Sequence, residues 1–358
     1  MANKVPLIPV GQTQSSLTGR VLSELLAHGP LSSAEIARRV QSSRGAVGDV
    51  VKDLQRQGLV CERGTRRSHG RPGVLQGIDR NAGWVVGVDL GGTNVRVAVC
   101  NSEAELLGEI RRPTPTSNAA SLINEIDLMV DQIVRTTATN VRPILALCIG
   151  VPGTVESTGN AISNADNLPI INGTNFVSAI MKRWPGQVVL DNDVTLAAVG
   201  EWANRYGAVN TLHESADLVF LSLGTGMGMG VVIDGKPWRG AHGAAGEIGL
   251  VPRSLTQSAS LESLFAETTP QADLTTETVL AHALEIISRI LDPSVIVVGG
   301  GRIHDQRIVK GASATLASRV SPVPRIESSQ LGDQAGLIGA LSTALSVAHR
   351  ELIARVSR

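Results

Sequence analysis

Apolar positions in the first eighty residues follow a helical period and then change to that of strands. Leu17–His28 carries apolar residues at 17, 21, 22, 25 and 26, one face of a helix, and Gly29-Pro30 ends it. Ser32, followed three residues later by Glu35, forms a capping box that predicts a second helix through Ile36 and Val40. Ser43 caps a third predicted helix bearing Val47, Val50, Val51 and Leu54 and closed by Gly58. Leu59–Glu62 predicts a strand, residues 63–73 a loop, and Val74–Ile78 a returning strand. Three helices and a two-stranded wing over residues 17–79 predict a winged helix-turn-helix.

Beyond residue 80 the pattern becomes α/β. Val85–Val99 (VVGVDLGGTNVRVAV) predicts two strands joined by a tight Gly-Gly-Thr turn. Glycines there let backbone N–H groups converge on an anion, and Asp89 is placed to hold magnesium beside a phosphate. The turn lacks the lysine of a P-loop. Four further segments end strands in small or short polar residues: Ile149–Thr154, Val188–Asp193 (leading into a helix over Val194–Trp202), Val219–Gly230 and Val295–Gly301. Open α/β sheets bind ligands at such strand ends.

Charge separates the two parts. Residues 1–75 hold eleven Lys/Arg against five Asp/Glu, although the whole chain balances at 32 of each. A basic head on an acidic body suggests that the head alone meets nucleic acid. Ser43 and Arg44 open the third helix, where groove contacts are made, and Lys52 is a candidate phosphate contact. Arg63, Arg66, Arg67 and Arg71 lie in the wing and suit a narrow A/T-rich minor groove; a solvated basic linker is the alternative. Gly45 and Gly48 each weaken the third helix by about 1 kcal/mol relative to Ala. They either let DNA approach closely or are a tolerated defect. The three cysteines have no paired spacing, no apolar run reaches membrane-spanning length, and residues 1–16 read as a flexible leader without a signal-peptide core. A reduced, cytoplasmic setting is expected.

The motifs DLGGTN, GVPG, NADNLP, the Asn192-Asp193 pair, GTGMGMGVVIDGK, GAAGEIG and VVGGG together resemble the ROK family (repressors, open reading frames and kinases). The winged head with its Gly-Arg-Pro wing resembles the transcriptional branch, which includes the N-acetylglucosamine and xylose repressors. The resemblance implies a two-lobed, actin-like sugar-kinase fold over 80–358. The first lobe would span about 84–190 plus a C-terminal helix at 335–356, and the second about 191–334. It implies that Asp89, Gly91, Gly92, Thr93, Gly224, Thr225 and Gly226 hold Mg-ATP phosphates and that Gly299 and Gly300 lie against adenosine. Gly153, Asn167, Asn192, Asp193, Glu247 and Glu262 would contact a sugar. Asp193 would be the base of any kinase reaction, because phosphoryl transfer needs a group to accept the hydroxyl proton. On the residues alone, Asp193 also reads as a helix cap and Glu262 as part of a solvated helix face.

The chain departs from this pattern on the sugar side. Family members follow Glu-x-Gly with a zinc-binding His and three cysteines; here Leu250 takes the His position and no cysteine lies beyond Cys148. No zinc is therefore expected, and Val251–Leu261 is expected either to be held by apolar anchors such as Leu250, Leu255, Leu261, Leu264 and Phe265 or to stay mobile. The stretch from Glu262 to Asp292 is short, and Thr195 stands where Asn is usual. These features predict a DNA-binding regulator of carbohydrate metabolism, most simply a repressor, that senses a sugar-derived effector as a homodimer or homotetramer. The alternative is an ATP-dependent sugar kinase carrying a DNA-binding head.

Overall fold

The computed structural model describes residues 4–8, 16–66, 73–137, 142–207, 217–224, 226–254, 257–261, 263, 276–303 and 306–357. In the head, α1 (Leu17–His28), α2 (Ser33–Arg39) and α3 (Arg44–Arg56) begin at serine caps. The Ser32 amide donates to the Glu35 carboxylate at 2.8 Å and the Glu35 amide donates back to Ser32 Oγ at 3.3 Å. This satisfies helix-end donors that would otherwise be left to water. Ser43 Oγ likewise accepts from the Ala46 amide at 3.2 Å.

The sheet of the head has three strands, not two. β1 (Leu31–Ser32) pairs with β3 (Gly73–Ile78), which pairs with β2 (Val60–Arg66), in the order β1-β3-β2. β2 runs on to Arg66 through an irregularity between Glu62 and Thr65, so the wing strand is longer than its apolar pattern indicates.

The first sheet of the body has the order β10-β7-β4-β5-β6. Its strands are β4 (Trp84–Leu90), β5 (Asn94–Asn101), β6 (Leu106–Pro113), β7 (Ile144–Val151) and β10 (Gln187–Asn192). A short antiparallel pair, β8 (Thr154–Val155) and β9 (Ile162–Ser163), follows β7. Helices α4 (Ala119–Thr137) and α5 (Asn175–Arg183) contribute Leu122, Ile126, Met129, Phe176 and Ile180 to the core on one face of this sheet. β10 continues to Asn192, two residues past the expected limit of the first lobe.

After α6 (Asp193–Tyr206) comes the second sheet, ordered β13-β12-β11-β16-β17. Its strands are β11 (Leu218–Leu223), β12 (Met227–Ile233), β13 (Lys236–Pro237), β16 (Val295–Gly299) and β17 (Arg325–Ser328). A two-stranded hairpin of β14 (Pro252–Ser254) and β15 (Gln257–Ser260) precedes α7 (Thr276–Leu291); α8 (Gln306–Ala317) joins β16 to β17, and α9 (Ala335–Val356) ends the fold.

α6 and α9 cross where glycines face each other. A Cβ on Gly200 would strike the Ala335 carbonyl, and one on Gly339 would strike the Leu196 carbonyl. Only glycine allows backbones this close. α9 packs over the first sheet through Leu337, Leu341 and Leu345, and its last turns carry Leu352 and Ile353 into the core of the head. The stretch Gly332–Val356 is long and apolar enough to cross a membrane, although the sequence predicts no run of that length; 67% of its most apolar 18-residue window is buried against the protein.

The leader expected to be flexible is packed where it is described. Val5 is 4% exposed and its amide donates to the Ala104 carbonyl at 2.8 Å.

Candidate DNA interface and ligand cleft

Ser43, Arg44 and Lys52 are exposed on α3. A hollow of about 610 Å³ opens beside Ser43 and Arg44, which line it with Glu35, Arg38, Gln41 and Ser42. Sequence reasoning missed Arg38, Gln41 and Ser42 here. The turn that brings them together relies on Gln41 at φ 51°, a left-handed conformation without a glycine to mark it. A Cβ on Gly48 would meet nothing within 4 Å, and one on Gly45 would touch only Ser43 Oγ at 4.0 Å. Internal packing therefore requires neither glycine.

The wing arginines differ from one another. Arg66 is turned back onto α2, where it pairs with Glu35 at 3.1 Å. Capping by Ser32, more than this pair, holds the Glu35 carboxyl below its usual range. Arg63 is a correction to the expected DNA-facing set: it donates to the Ile78 carbonyl at 2.9 Å and pairs with Glu103 of the body, so it anchors the wing inward. Arg67 and Arg71 lie outside the described residues.

In the body, strand ends from both sheets meet at a cleft. Asp89 is the penultimate residue of β4, and its register partner on β5 is Arg96. Gly91 closes the turn by donating to the Asn94 carbonyl at 3.0 Å, while Thr114 holds it from outside through the Gly91 carbonyl at 2.6 Å and the Thr93 carbonyl at 3.0 Å. Gly92 has a packing reason as well. A Cβ there would stand 2.6 Å from the Asn167 carbonyl, so Gly92 lets the β4–β5 hairpin pack against the loop that carries Asn167. Asn167 itself is exposed.

Asn192 and Gly153 are joined directly: Asn192 Nδ2 donates to the Gly153 carbonyl at 3.0 Å. Asn192 Oδ1 caps α6 by accepting from the Val194 and Thr195 amides, both at 3.0 Å. Gly153, at φ 129°, has no space for a side chain beside the Ser163 carbonyl. Thr154 Oγ1 donates to Glu247 at 3.4 Å, which brings Glu247 from the second sheet's loop to β8, just past the end of β7. Asp193 completes this group. It is half-buried. Burial first, then the Asp89 and Glu247 charges, push its carboxyl up to about 7 against two stabilising backbone hydrogen bonds. Thr195 is buried in α6. Glu262 and Thr225 lie outside the described residues.

The second sheet brings two glycine turns together. Gly224 donates to the Gly226 carbonyl at 3.0 Å, and no atom lies within 4 Å of the place its Cβ would take. Gly300, at φ 100°, packs against the Leu223 carbonyl, and Gly299 pairs with Ser222 across the sheet. Behind the cleft is a contact that sequence reasoning missed. Arg239 donates to Asp191 Oδ2 through Nε at 3.0 Å and through a terminal nitrogen at 2.6 Å, tying the loop that carries Glu247 to β10. No short-range pattern links residues 48 positions apart. Burial raises the Asp191 carboxyl and Arg239 opposes that shift.

Leu250 is a correction to the expected loop anchors. It is 65% exposed at the end of the short 3-10 turn Ile248–Leu250, while Ile248 and Gly249 turn inward. The following segment is held by pairing of β14 with β15, by the Leu261 amide donating to the Val251 carbonyl at 2.9 Å, and by buried Leu261. Leu255, Leu264 and Phe265 lie outside the described residues. Among the described residues, no three His, Cys, Asp or Glu side chains are placed to hold a metal together. Asp89 beside Asp193 fits magnesium, which takes one or two carboxylates and completes its shell with phosphates and water.

Residues 85–260 and 260–347 match the ROK family, and residues 15–72 match the MarR family. The chain belongs to the ROK family. A xylose repressor from Caldicellulosiruptor bescii is 30% identical over 233 residues, covering 64% of this chain and 56% of the repressor. The chain thus matches little more than half the length of that relative. An N-acetyl-D-glucosamine kinase from Erwinia tasmaniensis is 27% identical, over 71% of this chain and 97% of the kinase. A solved ROK transcriptional regulator, a homologue of the E. coli Mlc protein, shares the fold with a TM-score of 0.70 at 17% identity, over 94% of this chain and 97% of its own. A Streptomyces griseus ROK glucokinase, solved with glucose and AMPPNP, has a TM-score of 0.55 at 23% identity and covers 73% of this ROK chain. The winged head and the actin-like ROK body are therefore both present.

Proposed function

We propose that this ROK protein is a DNA-binding transcriptional regulator, a repressor of carbohydrate metabolism, whose body senses a sugar-derived effector. The observation that carries this reading is the free face of α3. Ser43, Arg44 and Lys52 are exposed there, and two glycines have no internal packing reason. Arg44 and Ser43 read base edges, Lys52 and Arg38 meet phosphates, and Arg67 and Arg71 enter the minor groove. The head comprises 17–79 and the ROK body 80–358, and the protein acts in the cytoplasm as a dimer or tetramer. Gly153, Asn167, Asn192, Asp193, Glu247 and Glu262 bind the effector, while the turns at 91–93, 224–226 and 299–300 with Asp89 bind Mg-ATP. Selection of a preferred duplex from a random pool, lost in Arg44→Ala, tests the DNA reading.

A second reading rests on Asp193. A carboxyl near 7 beside a magnesium-competent Asp89 suits a general base at neutral pH, which keeps ATP-dependent sugar phosphorylation open as an activity of the same body. Sugar-dependent ADP release that disappears in Asp193→Asn, with sugar binding retained, tests it.

A further inference from the structure

Glu201, on α6, is fully buried, and both of its carboxylate oxygens are engaged. Oε1 accepts from the Ser329 hydroxyl and from the Leu331 amide at 3.0 Å. Oε2 accepts from Arg205, one turn further along α6, and from the Gln330 amide at 3.4 Å. Arg205 reaches on to the Ser328 carbonyl and to Glu327, both at 3.4 Å, and the Asn204 side chain donates to Gln330 Oε1 at 3.0 Å. Every residue from Glu327 to Leu331 is thereby tied to α6. A buried ion pair adds little stability over apolar residues of the same volume, so packing alone does not call for a carboxylate at 201. Holding three successive residues, 329–331, through hydrogen bonds does.

The segment so held lies against the glycine turn after β16. The Ser329 amide donates to the Val298 carbonyl at 2.8 Å, and a Cβ on Gly299 would stand 3.0 Å from Ser329 Cβ. Gly300, next along, packs on the Leu223 carbonyl just before Gly224. Beyond this point the Gly332 amide donates to Ser329 Oγ at 2.8 Å, and the chain passes to the first sheet, where Arg96 donates to the Asp333 carbonyl. Glu201 holds the end of the segment beside Gly299. Arg96, the register partner of Asp89, holds the other end.

We propose that Glu201 is a positioning residue for the nucleotide side of the cleft: it fixes residues 329–331 against Gly299 and so sets the wall along which adenosine lies. The role rests on the Mg-ATP reading proposed above. Phosphate recognition belongs to the turns at 91–93 and 224–226, so a change at 201 acts on the nucleoside half of the ligand alone.

Calorimetry on the full chain tests this with two probes: Mg-ATP, and Mg-tripolyphosphate, which offers the phosphates without adenosine. Two double variants are compared, Glu201→Leu with Arg205→Leu and Glu201→Gln with Arg205→Leu. Both lack Arg205 and leave no unpaired charge buried; they differ only in the acceptor at 201. The apolar pair should weaken Mg-ATP at least fivefold and leave Mg-tripolyphosphate within twofold of the wild type. The glutamine variant should bring Mg-ATP back to within twofold, because its carbonyl still accepts from Ser329 and Leu331. Unchanged Mg-ATP binding in the apolar pair, equal losses for both probes, or no rescue by glutamine overturns the role. Should the apolar pair not fold, Ser329→Ala removes one of the bonds without touching a charge; it should weaken Mg-ATP alone, by twofold or more, and no loss overturns the role. A wild-type chain that binds neither probe removes the Mg-ATP reading, and the role of Glu201 with it; wild-type binding of both with unselective losses in the variants removes the role alone.

Discussion

Asp89 and Asp193 converge on one glycine. A Cβ on Gly336, at the start of α9, would lie 3.3 Å from Asp89 Oδ1 and 3.7 Å from the Asp193 carbonyl. With burial, the Asp89 charge raises the Asp193 carboxyl from 3.8 to about 7. The folded chain therefore holds a proton between those values that the unfolded chain has lost. Stability falls as pH rises through this window and is lowest above 7. Asp193→Asn should stabilise the protein at pH 8 by on the order of 1–3 kcal/mol, less than the full shift because Asp193 is only half-buried. At pH 4 it should have little effect. Thermal melting at both pH values checks this, and millimolar magnesium should shrink the difference at pH 8.

Gly92 and Gly224 should respond differently to a side chain. Gly92→Val should displace the Asn167 loop, lower the melting temperature by several degrees and weaken both sugar and Mg-ATP binding, because the new side chain meets backbone at 2.6 Å. Gly224→Ala meets no protein atom and should leave melting nearly unchanged while weakening Mg-ATP alone. Melting curves and calorimetry at millimolar Mg-ATP separate the two.

The loop beyond Glu247 should not depend on metal. Purified protein should carry no stoichiometric zinc, and chelators should not shift its melting temperature. Leu250→Ser should change stability by less than about 0.5 kcal/mol, since the side chain is mostly in solvent. Unmodified glucose should bind poorly, because Leu250 offers its hydroxyls no polar partner. Elemental analysis finding one zinc per chain, or tight glucose binding by calorimetry, would oppose these expectations.

Leu352→Ala should loosen the head from the body. The residue is 5% exposed, and truncating a buried leucine costs about 2–5 kcal/mol. Hydrogen exchange should rise in α1 and in the last turns of α9, with little change in β4 or β7.

Much of this was readable in the sequence because the signals are local. The Ser32–Glu35 box places its own helix, and the strand alternation around Gly91-Gly92 places its own hairpin. What escaped notice depends on distant partners. β1 is two residues long, too short to show a period. The segment 4–8 reads KVPLI, with a proline and no periodicity, and its bonds run to residues 104 and 342. Leu352 and Ile353 look like an ordinary helical stripe until the head is seen packed against them. Gly92 was legible as a required glycine, but the neighbour requiring it lies 75 positions away. Leu250 was expected inside because it is apolar; the turn that carries it spends its inward positions on Ile248 and Gly249.

Whether the head reads DNA is decided by duplex selection from a random pool with the full chain, followed by footprinting. Selection should return paired half-sites related by two-fold symmetry, about one or two helical turns apart and flanked by A/T-rich sequence. Arg44→Ala should reduce discrimination between the selected duplex and random DNA by about tenfold or more, and Arg71→Ala should weaken A/T-rich flanks most. A full chain that enriches no duplex and leaves no footprint would mean that the head does not read DNA sequence.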